Sequence, residues 1–162
     1  MYWQDEGYLL SKNNYDENSI IIEVFTLDHG KCIGTVYGGN SKKNKKIFQI
    51  GNKISINFKS KNVNKFGYFT VELVKAISPM FFDDKKRSIC ILAASSILKI
   101  LLPQDQLNKK IYNSFENLLN MLHLNNWINY YILWELSLVK ELGYEIKLNI
   151  KKNLENFNNF TI

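Results

Sequence analysis

The chain has 162 residues, a net charge of +6 and 46% hydrophobic residues. This length is enough for one ordinary domain or two small ones that fold without disulfides or metals. Its two cysteines, Cys32 and Cys90, have no CxxC spacing, which favours reduced thiols in a cytoplasmic protein. The acidic start MYWQDEGYLL does not have the pattern of a signal peptide. The apolar run at residues 89–102 is short for a bilayer span and contains Lys99, so we expect a buried helix and no membrane anchor.

Charge is unevenly distributed along the chain. Residues 1–30 carry six acidic residues and one lysine, whereas residues 31–75 carry ten lysines and one acidic residue, Glu72. Such a concentration of one sign in a short segment is typical of proteins that bind polyanions. AT-rich codon usage accounts for the choice of lysine over arginine, but it does not account for this clustering.

The first half of the chain has the alternating pattern of β-strands. Five segments show it, most of them bounded by turn residues: GYLLS (7–11), SIIIEVFTL (19–27), KCIGTVY (31–37), KISINFK (53–59) and FGYFTVELV (66–74). Five short strands at regular spacing predict a small closed or nearly closed barrel. In the last two strands, alternation assigns these side chains to the core: Ile54, Ile56, Phe58, Phe69, Val71 and Leu73.

The second half of the chain has a helical period. A first helix is predicted over residues 83–102, with an N-cap at Asp83-Asp84 and a stop at Pro103; a second begins near Gln104, and a third covers residues 126–142. The residues predicted to face the core are Leu107, Ile111, Phe115, Leu118 and Leu122 in the second helix, and Ile128, Ile132, Leu136 and Val139 in the third.

These patterns predict an α+β protein. A five-stranded β-barrel domain is expected over residues 1–78, and an all-α domain of about three helices over residues 79–148. Residues 149–162 form a polar, Asn-rich tail that we expect either to fray or to become ordered with a partner.

Residues 36–46, VYGGNSKKNKK, place two glycines ahead of four lysines. A phosphate-binding loop needs GxxxxGK[ST] followed by a helix, and here the order is reversed and a strand-like pattern resumes. A nuclear localisation signal fits the composition, but such signals normally lie in disordered tails. We favour a hairpin tip at one rim of the barrel whose lysines bind a phosphate backbone, with a solvated loop as the alternative.

The predicted nucleic-acid-binding surface combines these loop lysines with lysines of the neighbouring strands and loop. Two tyrosines that flank them are candidates for stacking on single-strand bases. The predicted residues are Lys42, Lys43, Lys45, Lys46, Lys31, Lys53, Lys59, Lys61, Lys65, Tyr37 and Tyr68.

Catalytic and metal-binding patterns are not evident in the sequence. His29 and Cys32 superficially resemble a base and a nucleophile, but no third orienting group is near in sequence. His123 is typical of a helix C-cap. Two histidines and two cysteines this dispersed do not form a tetrahedral set. We therefore predict no enzyme, no metal site and no cofactor.

Over about residues 1–148 the chain resembles the RecO family of bacterial recombination mediators. The resemblance is carried by three segments: NSIIIEVFTLDHGKCIGTVYGG (18–39) after GYLLS, QIGN (49–52), and WELSLVKELGYEIKL (134–148). It implies an OB-fold followed by a helical domain, in agreement with the periodicity.

The resemblance also implies a function. It implies binding of single- and double-stranded DNA, annealing of complementary strands, a complex with RecR, contact with the C-terminal tail of single-strand-binding protein, and assistance in RecA loading. The basic-loop role of the family carries over to Lys42, Lys43, Lys45 and Lys46. The alternative is an RNA-binding barrel or a protein-interaction scaffold without annealing activity, because cationic side chains alone do not distinguish RNA from DNA.

Overall fold

The computed structural model describes residues 1–41, 44–60 and 67–144. They form a β-barrel followed by three α-helices, which confirms the predicted fold class. The strands are β1 Tyr2–Asn14, β2 Ser19–Thr26, β3 Gly30–Tyr37, β4 Lys53–Lys59 and β5 Gly67–Lys75. A 3₁₀ turn at Ser78–Phe81 leads to the helices α1 Lys85–Leu101, α2 Lys109–Met121 and α3 Trp127–Glu141. The tail predicted at residues 149–162 lies outside the described residues.

The five strands close into a barrel in the order β1-β2-β3-β5-β4, the topology of an OB-fold. Strand β1 is longer than predicted because it pairs twice: residues 2–8 pair with β4 and residues 7–14 pair with β2. Strands β3 and β5 pair in parallel, with Gly34 opposite Gly67. That parallel pairing completes the closure.

The barrel interior is filled by the alternating apolar side chains, with Ile54, Ile56 and Phe69 buried as predicted. Phe58 and Val71 are partly buried against the same cluster. Leu73 was wrongly assigned to the core and is 39% exposed. It lies next to a shift in the β4–β5 register, at the end where β5 leaves the barrel.

Helix α1 begins where Asp84 caps it, since the Asp84 side chain accepts a hydrogen bond from the Arg87 backbone N–H at 3.0 Å. The predicted burial of this helix holds for one side only: Ile91 and Leu98 are buried in the core. Ile89, Leu92 and Ile100 on the other side are 53%, 47% and 79% exposed. Only one side of α1 packs on the barrel and the other helices. No helix within the described residues is long and apolar enough to cross a membrane.

Helices α2 and α3 form a second core with the outer surface of the barrel. Phe115 of α2 is fully buried and packs edge-on against Tyr8 of β1. Helix α2 begins at Lys109, later than predicted, because Asn108 caps it, and Leu107 therefore lies ahead of the helix and is 51% exposed.

The predicted core face of α3 is wrong. Its buried residues are Trp134 and Leu138, whereas Ile128 is 50% exposed and Ile132, Leu136 and Val139 are half-buried. The helix is apolar on nearly every side, so the spacing of its apolar residues does not indicate which face packs on the core. Its large aromatic side chains take the interface because they bury the most area.

The first testable consequence concerns closure of the barrel at Gly67. A Cβ at this position would lie 1.9 Å from Cε2 of Phe58. We expect Gly67→Ala to lower the free energy of unfolding by about 1–3 kcal/mol through overpacking, measured by urea denaturation. Thr70→Ser, an exposed change on the same strand, should cost less than about 0.5 kcal/mol. Equal stability of the two variants would contradict the tight closure.

Candidate nucleic-acid interface

The described part of the basic loop between β3 and β4 is a folded turn. The Asn44 side chain donates to the Gly38 carbonyl oxygen at 2.9 Å, which brings the turn back to the end of β3. A 3₁₀ turn at Asn44–Lys46 follows, and the side chains of Lys45 and Lys46 are exposed on it. The backbone that carries these two lysines is therefore fixed by hydrogen bonds. Their predicted neighbours Lys42 and Lys43 lie outside the described residues.

Asn52 holds this turn against the rest of the molecule. Its side chain is fully buried, and Nδ2 donates to the carbonyl oxygens of Lys46 at 3.1 Å and Ile47 at 3.2 Å. Oδ1 accepts from the backbone N–H groups of Ile77 at 2.8 Å and Ser78 at 3.1 Å. A buried amide with both ends bonded fixes geometry, because each lost bond leaves a buried polar group unpaired. We call this set of four bonds the Asn52 clamp.

Gly51 allows helix α1 to approach the clamp. It has a φ of +88°, and a Cβ there would lie 2.3 Å from Cγ2 of Ile91 on α1. The Gly51 backbone N–H donates to the Leu9 carbonyl oxygen at 2.8 Å, and Ser78 Oγ donates to the Ile50 carbonyl oxygen. The QIGN segment therefore joins the barrel, the basic turn and α1. From the sequence, QIGN was identified only as part of the family resemblance. The signal for its structural role was the Gly-Asn pair directly before the strand at residues 53–59, because such a pair is typical of a tight turn.

Two of the predicted lysines are bonded inside the protein. Lys31 is 8% exposed, and its Nζ donates to the Lys99 carbonyl oxygen at 2.6 Å. Lys53 Nζ lies 2.9 Å from Glu116 Oε1 and 3.6 Å from Glu6 Oε2. Lys31 therefore does not belong to an exposed surface, a correction to its assignment. The charge of Lys53 is neutralised at the contact between barrel and helices.

Helix α1 covers part of the outer face of β2 and β3. Lys99 of α1 pairs with Glu23 of β2 at 3.2 Å, and Phe25 of β2 is buried in the helical core. OB-folds commonly bind oligonucleotides on this strand 2–3 face. In this chain the face is partly occupied by the helical domain, so the exposed cations and aromatics on other parts of the barrel become the candidate surface.

The two predicted tyrosines come together on the outside of the barrel. Tyr37 and Tyr68 are 65% and 46% exposed, and their rings stack with centroids 4.9 Å apart and an interplanar angle of 18°. A hydrogen bond with Tyr68 raises the pKa of Tyr37. Lys59 of β4 is exposed and is the direct cross-strand partner of Tyr68. Lys61 and Lys65 lie outside the described residues.

His29 and Cys32 do not form a nucleophile–base pair. The His29 ring stacks on Trp3 with centroids 3.9 Å apart, and Nδ1 lies 2.8 Å from Asp5 Oδ2. Cys32 Sγ contacts the His29 backbone carbonyl at 3.5 Å, and burial raises the pKa of its thiol to about 12. Within residues 1–41, 44–60 and 67–144, no three His, Cys, Asp or Glu side chains are grouped to hold a metal ion.

Comparisons with known proteins match both halves of the chain. The family model "Recombination protein O N terminal" matches residues 1–77, and "Recombination protein O C terminal" matches residues 83–151. A DNA repair protein RecO of Wolbachia pipientis subsp. Culex pipiens (strain wPip) is 31% identical over 96% of this chain and 66% of its own length. One of Wolbachia sp. subsp. Drosophila simulans (strain wRi) is 31% identical over 96% and 67%. One of Roseobacter denitrificans is 32% identical over 91% and 62%. The chain thus spans about two thirds of the length of these relatives.

The Asn52 clamp gives a stability prediction. Asn52→Ala removes four hydrogen bonds and leaves the buried Ile77 N–H and the partly buried Ser78 N–H without their acceptor. It also releases the carbonyls of Lys46 and Ile47, of which Ile47 keeps a bond from the Gln49 N–H. We therefore expect the free energy of unfolding to fall by about 2–4 kcal/mol. The matched control is Asn40→Ala in the same loop, whose half-buried side chain donates to two backbone oxygens of the β1–β2 turn. This change should cost below about 1 kcal/mol. Similar urea midpoints for both variants would argue against the clamp.

A pH prediction follows from the contact of Glu116 with Lys53. Burial opposes ionisation of Glu116, but hydrogen bonds from Tyr8 and Lys53 outweigh it, and the net effect lowers its pKa in the folded chain. Stabilisation by the carboxylate is therefore complete above the ordinary glutamate pKa of about 4.3 and is lost as the pH falls through the folded value. We expect Glu116→Gln to lose less stability on acidification than wild type, in urea titrations at neutral and acid pH. Exposed Glu72→Gln is the control and should follow wild type.

Proposed function

This chain belongs to the RecO family of DNA repair proteins, and we propose that it is a non-enzymatic mediator that binds single- and double-stranded DNA and anneals complementary strands. The observation that carries the proposal is the 3₁₀ turn at Asn44–Lys46, which the Asn52 clamp holds with Lys45 and Lys46 exposed. Fixed lysines that neutralise phosphates lower the repulsion between two strands, so pairing requires no ATP.

The DNA track that we propose runs along one side of the barrel. The turn is hydrogen-bonded to Gly38, which follows Tyr37 in the chain. Tyr37 stacks on Tyr68, and Tyr68 is the cross-strand partner of Lys59. We include Lys42, Lys43, Lys61 and Lys65 because they adjoin these residues in sequence. The contacts are those of single point charges, because lysine does not bind phosphate bidentately as arginine does.

The β1–β2 turn limits this surface on one side. The Asn40 side chain donates to the Asp16 carbonyl oxygen at 3.2 Å, which holds that turn against the basic loop. Backbone N–H groups of Asn18 and Ser19 bond the Asp16 carboxylate, and the first of these bonds is the main cause of its lowered pKa. A carboxylate kept ionised here repels phosphate, so we expect the strand to run from the basic turn towards Lys59.

The two domains have different roles in this proposal. Residues 1–78 bind DNA, and residues 79–148 provide contacts for protein partners, which the exposed Ile89, Leu92 and Ile100 on α1 support. By the family resemblance, the proposed partners are RecR and the tail of single-strand-binding protein, and the proposed outcome is assistance in RecA loading. We place the protein on the nucleoid in the bacterial cytoplasm, where its DNA substrate lies.

The salt dependence of DNA binding tests the electrostatic contact. The experiment measures fluorescence anisotropy of labelled single-stranded DNA in a salt series, for wild type and for Lys45→Ala/Lys46→Ala. Each lost phosphate contact makes the negative slope of log K against log salt shallower by about 0.7. We therefore expect the double variant to bind more weakly, with a slope that is shallower by about 1.4.

The matched control is Lys85→Ala/Lys86→Ala, an exposed pair of adjacent lysines on the helical domain. Its slope should stay that of wild type. A turn variant that binds like wild type would contradict the role of Lys45 and Lys46. Equal competition by RNA, with no annealing of complementary DNA strands, would favour the RNA-binding or scaffold alternative.

A further inference from the structure

Exposed aromatic rings form a row across three strands of the barrel. Tyr2 of β1 and Tyr68 of β5 are both direct cross-strand partners of Lys59 on β4, so the three side chains share the outer face. Tyr2 is 63% exposed, and Lys59 Nζ lies 5.9 Å from the centroid of its ring. Tyr37 extends the row onto β3 by stacking on Tyr68. We call Tyr2, Lys59, Tyr68 and Tyr37 the aromatic row.

The rings of the row are held in position. The Tyr2 hydroxyl donates to Asn57 Oδ1 at 3.1 Å, and Tyr37 and Tyr68 stack on each other. Side chains that are already ordered lose less conformational entropy when a ligand binds. Burial in the core does not account for these rings, since between about half and two thirds of each is exposed.

The charge on the outer face becomes negative two cross-strand rows away from the aromatic row. The next outward cross-strand row is uncharged and consists of Gln4, Asn57 and Thr70. The row after it contains two exposed carboxylates, Glu6 and Glu72. A phosphate backbone is therefore attracted at Lys59 and repelled two rows away, which favours a strand lying along the aromatic row.

We propose that the aromatic row is a stacking platform for the unpaired bases of single-stranded nucleic acid, with Lys59 on the phosphate backbone. This inference rests on the proposed function and adds strand preference to it. Aromatic rings stack on any exposed base, whereas the bases of a duplex are already stacked on one another. Tyr2 and Tyr68 are two strand spacings apart, about 10 Å, which matches about three nucleotides at 3.4 Å per base.

The location differs from the usual one in an OB-fold. The helical domain covers part of the strand 2–3 face, where Lys99 of α1 pairs with Glu23 and Tyr112 of α2 packs on Phe25. The helices also contact β1 at Tyr8 and β4 at Lys53, whereas the aromatic row lies six residues further along these strands, at Tyr2 and Lys59. The platform therefore uses the face of the barrel that the helical domain leaves exposed. Lysines of the basic turn serve both kinds of DNA, and the tyrosines serve single strands.

The test compares single- and double-stranded DNA of one sequence. We expect Tyr2→Ala/Tyr68→Ala to lose about tenfold or more in affinity for single-stranded DNA, the range for lost base stacking, with duplex affinity unchanged. Tyr2→Phe/Tyr68→Phe should keep most of the affinity for single-stranded DNA, because it keeps the rings and loses only the hydroxyl bond that orders Tyr2. Tyr144→Ala, which removes an exposed tyrosine at the end of α3, is the matched control. Circular dichroism checks that each variant is folded.

A second probe removes the bases instead of the rings. Wild type should bind an abasic single strand about as weakly as the double alanine variant binds the normal strand. If wild type binds abasic and normal strands equally, or if the alanine variant loses single and double strands to the same extent, the platform is overturned and DNA binding by the lysines stands. Failure of wild type to bind either kind of DNA would overturn the proposed function and the platform together.

Discussion

The buried side-chain amide of Asn52 joins three parts of the molecule that are distant in sequence. Its Nδ2 group holds the basic turn at residues 46–47, and its Oδ1 atom holds residues 77–78, where the barrel leads into α1. The Asn52 side chain is fully buried, so water does not replace the bonds that its amide would lose. The position of the lysine turn is therefore fixed to the position of the helical domain. A DNA strand on the turn and a protein partner on the helices would act on one connected framework.

The packing of helices α1 and α2 decides which face of the barrel is accessible. The barrel contacts α1 through the hydrogen bond from Lys31 to the Lys99 carbonyl oxygen, and it contacts α2 through the ion pair of Lys53 with Glu116. These contacts use two lysines that would otherwise enlarge the cationic surface, and they partly cover the strand 2–3 face. The basic turn and the aromatic row stay exposed. The proposed division between lysines for phosphates and tyrosines for unpaired bases follows from this arrangement.

The fold could be predicted because its signals are local. Alternation in the strands, the cap at Asp84 and the stop at Pro103 each depend on neighbouring residues. The failures have non-local causes. Lys31 reaches a carbonyl 68 residues away, and Asn52 bonds groups on both sides of β4 and β5, so neither role is visible in a short window. The face of α3 could not be chosen from an almost uniformly apolar helix, and the pairing of Tyr2 with Lys59 required the strand register.

Amide hydrogen exchange with and without saturating single-stranded DNA would locate the DNA track, which we propose is the basic turn held by Asn52 together with the aromatic row. We expect slower exchange at the backbone amides of residues 44–48 and around Lys59 and Tyr68, with little change along α1. Protection confined to α1–α3, with the turn and the row unchanged, would contradict it.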